Sequence, residues 1–308
     1  MSEKLVNRVV LLDGGMGQEL IKRSKSKPHP LWSAKVLHDE PKLVEDAHAD
    51  FIRSGAKIIT LSTYSITPER LARDGDVSLF KELQSKALKV ALRARDRMRA
   101  FDVRIAGCLP PLFGSYHPEV APEFEEGVER YLTLVEQQYK ELDLFICETM
   151  SSIKEAKAAI TAAKNYNIET WCSFSIEDND KSLLRSKESL QKALTAVNNL
   201  GHEANLLNCS VPEAISAAIK KLDFSSKCFG AYANGFTSID ALRLGGTVDS
   251  LEAREELTPS VYAKFVSDWV SSGIKIVGGC CEISPAHIKE IHDFLLQNEY
   301  ELVSTLNP

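Results

Sequence analysis

The chain has 308 residues, 44% hydrophobic and 26% charged, with 43 acidic against 37 basic side chains and a formal charge of -6. A chain of this size buries most of its apolar surface, and no sustained basic stripe runs along it, so nucleic acid is excluded as a partner. Residues 1–8 lack the apolar core of a secretory leader, and nowhere do the roughly 18 uninterrupted apolar residues of a membrane span occur, so no membrane partner is expected.

Short apolar runs alternate with segments of helical period along the whole length. Residues 9–12 read as a first strand, ended by Asp13-Gly14-Gly15. Pro41 at a first helical position precedes Leu43, Val44, Ala47 and Phe51 at helical spacing, and Gly55 stands where a left-handed C-terminal residue is wanted. Residues 57–61 form the second strand, before Thr63-Tyr64, and residues 103–107 the third, before Pro110-Pro111. Val128, Leu132, Val135 and Leu142 mark a helix that leads to a fourth strand at 144–147, followed by Glu148-Thr149. Ile153, Ala156, Ile160 and Ala163 mark the next helix, and strands follow at 170–175, 204–208 and 228–232; the last two end at Cys209 and Asn234-Gly235. Thr258-Pro259 and Ser284-Pro285 each read as an N-cap with Pro at N1, opening helices lined by Phe265 and Trp269 or by Ile288 and Ile291. Between them residues 275–277 form an eighth strand, which ends in Gly278-Gly279-Cys280-Cys281.

Eight buried-type strands alternating with helices fit either a (β/α)8 barrel or a doubly wound open sheet. The cysteines favour the barrel, whose strands all end around one mouth, so that Cys209 after the sixth strand and Cys280-Cys281 after the eighth can converge. No linker tract divides the chain, and residues 1–308 are expected to form one TIM-barrel domain with its metal site at the C-terminal mouth of the strands.

Three thiols at two strand ends suit a soft ion in tetrahedral geometry with one position left for substrate, which makes zinc the expected cofactor. Vicinal cysteines are equally compatible with inert core residues, a strained redox disulfide or a closed structural site, although a closed site usually shows Cys-x-x-Cys pairs and none exists here. Of the seven cysteines, Cys108, Cys147, Cys172 and Cys228 lie in apolar runs and read as buried small hydrophobes, which fits a reducing cytoplasm. Asp13 reads as a ligand-binding carboxylate or as an acidic turn residue before Gly14-Gly15. Glu148 directly follows a buried strand, where a carboxylate needs a cation to stay charged, and two carboxylates at the mouth suit an ammonium-bearing ligand. Tyr64 and Trp32 are candidate lids or rim aromatics.

Asp13-Gly14-Gly15-Met16-Gly17, Pro30-Leu31-Trp32-Ser33, Thr63-Tyr64, Gly114-Ser115-Tyr116, Glu148-Thr149, Asn208-Cys209 and Gly278-Gly279-Cys280-Cys281, in this order over nearly the whole chain, resemble the zinc-dependent homocysteine S-methyltransferase family. The resemblance implies a (β/α)8 barrel in which Cys209, Cys280 and Cys281 hold one zinc ion. It also implies that Asp13 and Glu148 bind the amino group of homocysteine, while backbone amides around Gly14-Gly15 and the second strand end hold its carboxylate. Thr63, Tyr64 and Asn234, at strand ends, complete the expected substrate-binding set.

A free thiol is mostly protonated at neutral pH, whereas coordination by zinc delivers it as the nucleophilic thiolate. Three cysteine thiolates and a fourth from homocysteine keep the bound sulfur electron-rich, and zinc adds no redox chemistry. The small methyl donor must already be activated, so a sulfonium such as S-methylmethionine or S-adenosylmethionine is expected, with methionine as product. Betaine is disfavoured because Thr149-Met150 stand where the betaine-using branch tends to place an aromatic, and no second domain for folate or cobalamin is expected. Asn234-Gly235-Phe236-Thr237 and Leu61-Ser62-Thr63-Tyr64 depart from commoner family patterns at the mouth, which keeps a selenocysteine acceptor or a dimethylsulfoniopropionate-type donor open. Outside group transfer, the alternatives are a zinc hydrolase with Glu148 as base and a redox sensor using Cys280-Cys281. A homo-oligomer is compatible with the chain, although no exposed apolar segment marks an interface.

Overall fold

The structure, a computed structural model, describes residues 7–25, 29–31, 33–225, 227–242, 244–246 and 250–306; Trp32 lies outside them. Strand β1 (Arg8–Leu11) is followed by α1 (Met16–Arg23), α2 (Ser33–Asp39) and α3 (Pro41–Arg53), and β2 (Ile58–Thr60) by α4 (Pro68–Asp74) and α5 (Phe80–Met98). Strict alternation follows: β3 (Arg104–Leu109), α6 (Phe124–Gln138), β4 (Leu144–Met150), α7 (Ile153–Lys164), β5 (Glu169–Phe174) and α8 (Leu190–Val197). The chain continues with β6 (Ala204–Asn208), α9 (Pro212–Ile219), β7 (Cys228–Tyr232), α10 (Pro259–Ser271), β8 (Ile276–Val277), α11 (Pro285–Gln297) and β9 (Glu301–Leu302).

All strands pair in parallel, in the order β2-β3-β4-β5-β6-β7-β8-β1-β9. The sheet curls until its ends meet: Leu12 bridges Ile58, the Lys57 N–H donates to the Leu11 carbonyl at 2.7 Å and the Asp13 N–H to the Ile58 carbonyl at 3.0 Å. The result is a TIM-barrel-like α/β fold.

Side-chain alternation along the strands divides the core in two. Val10, Leu12, Ala106, Leu144, Ile146, Trp171, Leu206, Tyr232 and Ile276 fill the space inside the curled sheet, while Val9, Leu11, Ile105, Phe145, Cys172, Leu207 and Val277 pack outward against the helices. At two helices opened by Pro the preceding residue caps as the sequence predicts: the Thr258 side chain accepts from the Val261 N–H, and Ser284 forms a capping box with His287.

The structure differs from the sequence reading at three places. Strand β4 runs on to Met150 instead of stopping at Cys147, with a register shift between those residues and Thr149 at φ 59°, so Glu148 and Thr149 belong to the strand. A ninth strand pairs Glu301 and Leu302 with Arg8 and Val9; two residues carry no periodic signal. Its continuation turns Val303 and Leu306 against the interior core, and the Arg8 and Arg104 guanidiniums hold it by the Leu306 and Ser304 carbonyls, closing the end opposite the strand C-termini. Between β5 and α8 a small antiparallel excursion, with bridges Ile176 to Leu184 and Leu183 to Ser189, leans over the mouth and was not foreshadowed by any apolar alternation.

Candidate metal and substrate site

The parity that sends Leu144 and Ile146 into the barrel also sends Glu148 there, and Asp13, Thr60, Cys209, Tyr232 and Cys280 stand at or just past the ends of β1, β2, β6, β7 and β8. One cavity results, lined by Asp13 to Gln18, Ser33, Thr60 to Ser62, Tyr64, Ser115, Tyr116, Glu148, Thr149, Cys209, Tyr232 and Gly279 to Cys281.

Cys209 leaves β6 at φ 50°, a left-handed turn that swings its thiol back across the mouth. Gly279 and Cys280 are fastened by their N–H groups to the Asp13 carbonyl (3.0 Å) and the Ala233 carbonyl (2.9 Å), and the Tyr262 hydroxyl donates to the Gly278 carbonyl at 2.8 Å. The sulfurs of Cys209, Cys280 and Cys281 consequently lie within 4.8 Å of one another, Cys209 and Cys281 at 3.9 Å. A tetrahedral ion with bonds of about 2.3 Å to sulfur requires sulfurs roughly 3.8 Å apart, so the donor set fits zinc in both chemistry and spacing. Hydrogen bonds from the Cys280 and Cys281 thiols hold the Cys209 thiol well below its ordinary pKa, and the other two are pushed up in exchange. The Asn208 amide orders the neighbourhood, donating to the Thr149 hydroxyl at 3.0 Å with its nitrogen 4.0 Å from the Cys280 sulfur.

Opposite the thiols stand two carboxyl groups. Asp13, 5% exposed, accepts the Thr60 N–H at 2.8 Å and the Thr60 hydroxyl at 3.3 Å, so it also ties β1 to β2. Burial, with a contribution from the Glu148 charge, pushes its pKa up to about 8. Glu148 accepts from the Cys108 thiol at 3.0 Å and the Tyr232 hydroxyl at 3.3 Å; burial and the charge on Cys209 raise it to about 7. Neither carboxylate has a basic side chain among its partners in the described residues. Two buried anions without a countercharge are costly until a cation arrives.

The remaining wall is polar and unsatisfied. Helix α1 starts at the cavity with no side-chain cap at Gly15. Gln18 Nε2 and Ser62 Oγ, on residues 4% and 3% exposed, have no hydrogen-bond partner among the described residues. Free backbone N–H groups at a helix start together with orphaned donors favour an anionic oxygen. Gly15 is required here: a Cβ on it would lie 2.5 Å from the Cys280 carbonyl oxygen, so the cysteine turn and α1 can touch only through a glycine.

Of the residues singled out in the sequence, Asp13, Gly14, Gly15, Tyr64, Glu148, Cys209, Cys280 and Cys281 line the cavity together. Thr63 and Asn234 do not: Thr63 is buried outside its lining, and Asn234 turns its side-chain oxygen onto the Phe236 N–H at 3.2 Å. Cys108, read as an inert core residue, is instead a hydrogen-bond donor to Glu148. Gln18, Ser62 and Tyr232 escaped notice; only Tyr232 carried a signal, since it shares the inward parity of its strand. Two wall tyrosines are stiffened from behind, Tyr64 by the Arg70 guanidinium 5.3 Å from its ring centre and Tyr116 by that of Arg185 at 5.4 Å.

The sequence matches the homocysteine S-methyltransferase family model over residues 10–295. It is 28% identical over 300 residues to the homocysteine S-methyltransferase of Escherichia coli, covering 91% of this chain and 93% of that protein. It is 26% identical over 322 residues to the selenocysteine methyltransferase of Astragalus bisulcatus, covering 94% and 93%. The metallated form of the Escherichia coli homocysteine methyltransferase MmuM superposes with a TM-score of 0.76 at 25% identity, covering 93% of this chain and 96% of that one. The chain is thus a member of the homocysteine S-methyltransferase family and a methyltransferase.

Proposed function

We propose that the protein transfers a methyl group from a sulfonium donor, S-methylmethionine or S-adenosylmethionine, to the sulfur of homocysteine, giving methionine, with one zinc ion held by Cys209, Cys280 and Cys281. The observation that carries the reading is the convergence of three sulfurs within 4.8 Å on one side of a cavity whose other side holds two carboxylates. When bound, zinc supplies the Lewis acidity that keeps the acceptor sulfur as a thiolate at neutral pH.

The chain's own residues do the rest. Asp13 and Glu148 take the ammonium group of homocysteine, which supplies the positive charge their burial demands. The first N–H groups of α1, with Gln18 Nε2 and Ser62 Oγ, receive the carboxylate, so that three points fix the amino acid and aim its sulfur at the thiol cluster. Tyr64, Tyr116 and Tyr232 close the walls and displace water from the path of the methyl group. A sulfonium leaves as a neutral thioether, so the departing group needs no proton, and the wall offers it none that the mechanism requires.

The same geometry accepts a selenol, a reading favoured by the 26% identity to a selenocysteine methyltransferase over most of both chains. Betaine and dimethylsulfoniopropionate remain the alternative donors. The seven free cysteines fit a reducing cytoplasm, and no helix among the described residues is long and apolar enough to cross a membrane. The deciding experiment follows product formation by the zinc-loaded protein from homocysteine or selenocysteine against S-methylmethionine, S-adenosylmethionine, dimethylsulfoniopropionate and betaine. Methionine from a methionine-derived sulfonium supports the proposal; turnover with betaine alone would overturn the donor assignment, and absence of turnover with any pair would overturn the reaction.

A further inference from the structure

We propose that Cys108 is a positioning residue: its thiol fixes the Glu148 carboxylate that receives the acceptor's ammonium group. The assignment rests on the methyl-transfer reading above and adds to it the residue that orients its amine-binding anion.

Cys108 shares the parity of Ala106, which packs inside the curled sheet, and so its side chain points into the barrel beneath the cavity. Its sulfur lies 3.0 Å from Glu148 Oε2, and since an ionised carboxylate only accepts, the thiol donates. The other oxygen, Oε1, receives the Tyr232 hydroxyl at 3.3 Å. Each carboxylate oxygen thus holds one neutral donor and keeps lone pairs for a ligand. Neither donor carries charge, so the pair orients the anion without neutralising it, and the charge is left for an ammonium group to satisfy.

The backbone around Cys108 is held with corresponding care. Ala106 is the last residue of β3 that pairs with β2, and two residues further on the amide of Gln138, 1% exposed at the end of α6, takes over. Gln138 Oε1 accepts the Cys108 N–H at 3.1 Å and Nε2 donates to the Cys108 carbonyl at 3.3 Å. A two-point clamp of this kind fixes φ and ψ at Cys108 and hence the direction of its Cβ–Sγ bond. A residue serving only to fill volume needs no such clamp, and the burial that raises its pKa keeps the thiol protonated and able to donate.

Cys108→Ala and Cys108→Ser test the assignment in the zinc-loaded protein. Loss of the donor in the alanine variant should raise the KM and the Kd for homocysteine about tenfold while leaving kcat at saturation within about twofold, and the serine variant, which keeps a donor, should recover to within about threefold of wild type. Equal defects in both variants, or a fall in kcat with unchanged KM, would show that Cys108 merely fills space. A second measurement needs no substrate: the infrared S–H stretching band that disappears in Cys108→Ala should shift to higher frequency in Glu148→Gln, because its acceptor has lost its charge. A band indifferent to Glu148→Gln refutes the hydrogen bond while leaving methyl transfer intact. Failure of the wild-type protein to bind homocysteine overturns the parent reading, and the positioning role with it, even where the band shifts.

Discussion

Glu148→Gln removes one negative charge from the cavity while keeping the shape of the side chain, so it isolates what the carboxylate does for an ammonium-bearing ligand. An ammonium about 4 Å from a carboxylate gains about 4 kcal/mol at the effective dielectric of a partly buried site. Desolvation of both partners offsets part of this, and a hydrogen bond to a charged group nets about 1.5 to 3 kcal/mol. The Kd for homocysteine should therefore rise about 10- to 150-fold. Calorimetric titration of zinc-loaded wild-type and variant protein measures it, at a pH above the ionisation of both cavity carboxyls. Deamino-homocysteine, which keeps the thiol and the carboxylate, is the control: its affinity should be unchanged or improved in the variant, because it leaves Glu148 without a countercharge in the wild type. The pH dependence has a definite sign. With Glu148 near 7, wild-type affinity for homocysteine falls as the pH drops through that value and the carboxyl becomes neutral; this step is absent in the variant, while the one due to Asp13 persists but moves to lower pH, because the Glu148 charge no longer raises it. Equal weakening of both ligands, or a homocysteine Kd within about twofold of wild type, would refute the assignment of Glu148.

Cys209→Ala should leave a folded barrel that retains no zinc after dialysis against a mild chelator, as measured by atomic emission, because the ion loses one of three ligands; full retention would remove Cys209 from the metal set. Gly15→Ala replaces an N-cap glycine by a residue that caps less well, and the new Cβ also sits 2.5 Å from the Cys280 carbonyl oxygen. It should cost about 1 to 3 kcal/mol by urea unfolding and weaken zinc binding, and an unchanged midpoint would contradict the close approach. Glu155, away from the metal and raised to about 7 by burial beneath Ser151 and Ser152, gives a linkage test. Its folded pKa exceeds the unfolded one, so its stabilising effect is complete at acid pH and is lost as the pH rises through about 7. Relative to Glu155→Gln, the metal-free wild type should lose on the order of 3 kcal/mol across that window, and a gain on raising the pH would reverse the argument.

The parts of the site that could be read from the chain are those where a residue type is unusual for its place. Vicinal cysteines after an apolar run, an aspartate before two glycines and a glutamate in a buried strand each violate the local expectation of an inert strand end, and all of them line the cavity. What escaped are residues ordinary in type. Gln18 sits in an amphipathic helix, Ser62 in a loop and Cys108 in a run of small apolar residues, and only the folded chain reveals that the first two have orphaned polar atoms and that the third has a carboxylate beside it. Asn234 and Thr63 show the converse: polar residues at strand ends were expected in the cavity, but local turn chemistry claimed the Asn234 oxygen, and Thr63 is buried in the turn that follows β2. For the fold, periodicity located the eight main strands to within a few residues, whereas β9, two residues long, depends on tertiary pairing with β1.

The charge arrangement of the mouth bears on how one small cavity would serve the two substrates of the proposed reaction. With a divalent ion bound as proposed, three thiolates would leave the metal side negative, and Asp13 and Glu148, once ionised, make the opposite side negative as well. A zwitterionic acceptor meets this field with its ammonium on the carboxylates, while a cationic donor is drawn to whatever negative charge is left, on the thiolate side where the methyl group must arrive. A neutral or anionic methyl donor gains nothing from the same field. The sign of the cavity therefore orders the two substrates by which of their charges can be placed where, and it predicts that replacing the sulfonium of S-methylmethionine by the neutral thioether of methionine abolishes competition for the donor position. Product release follows from the same argument, since transfer converts the sulfonium of the donor into a neutral thioether that the field no longer holds.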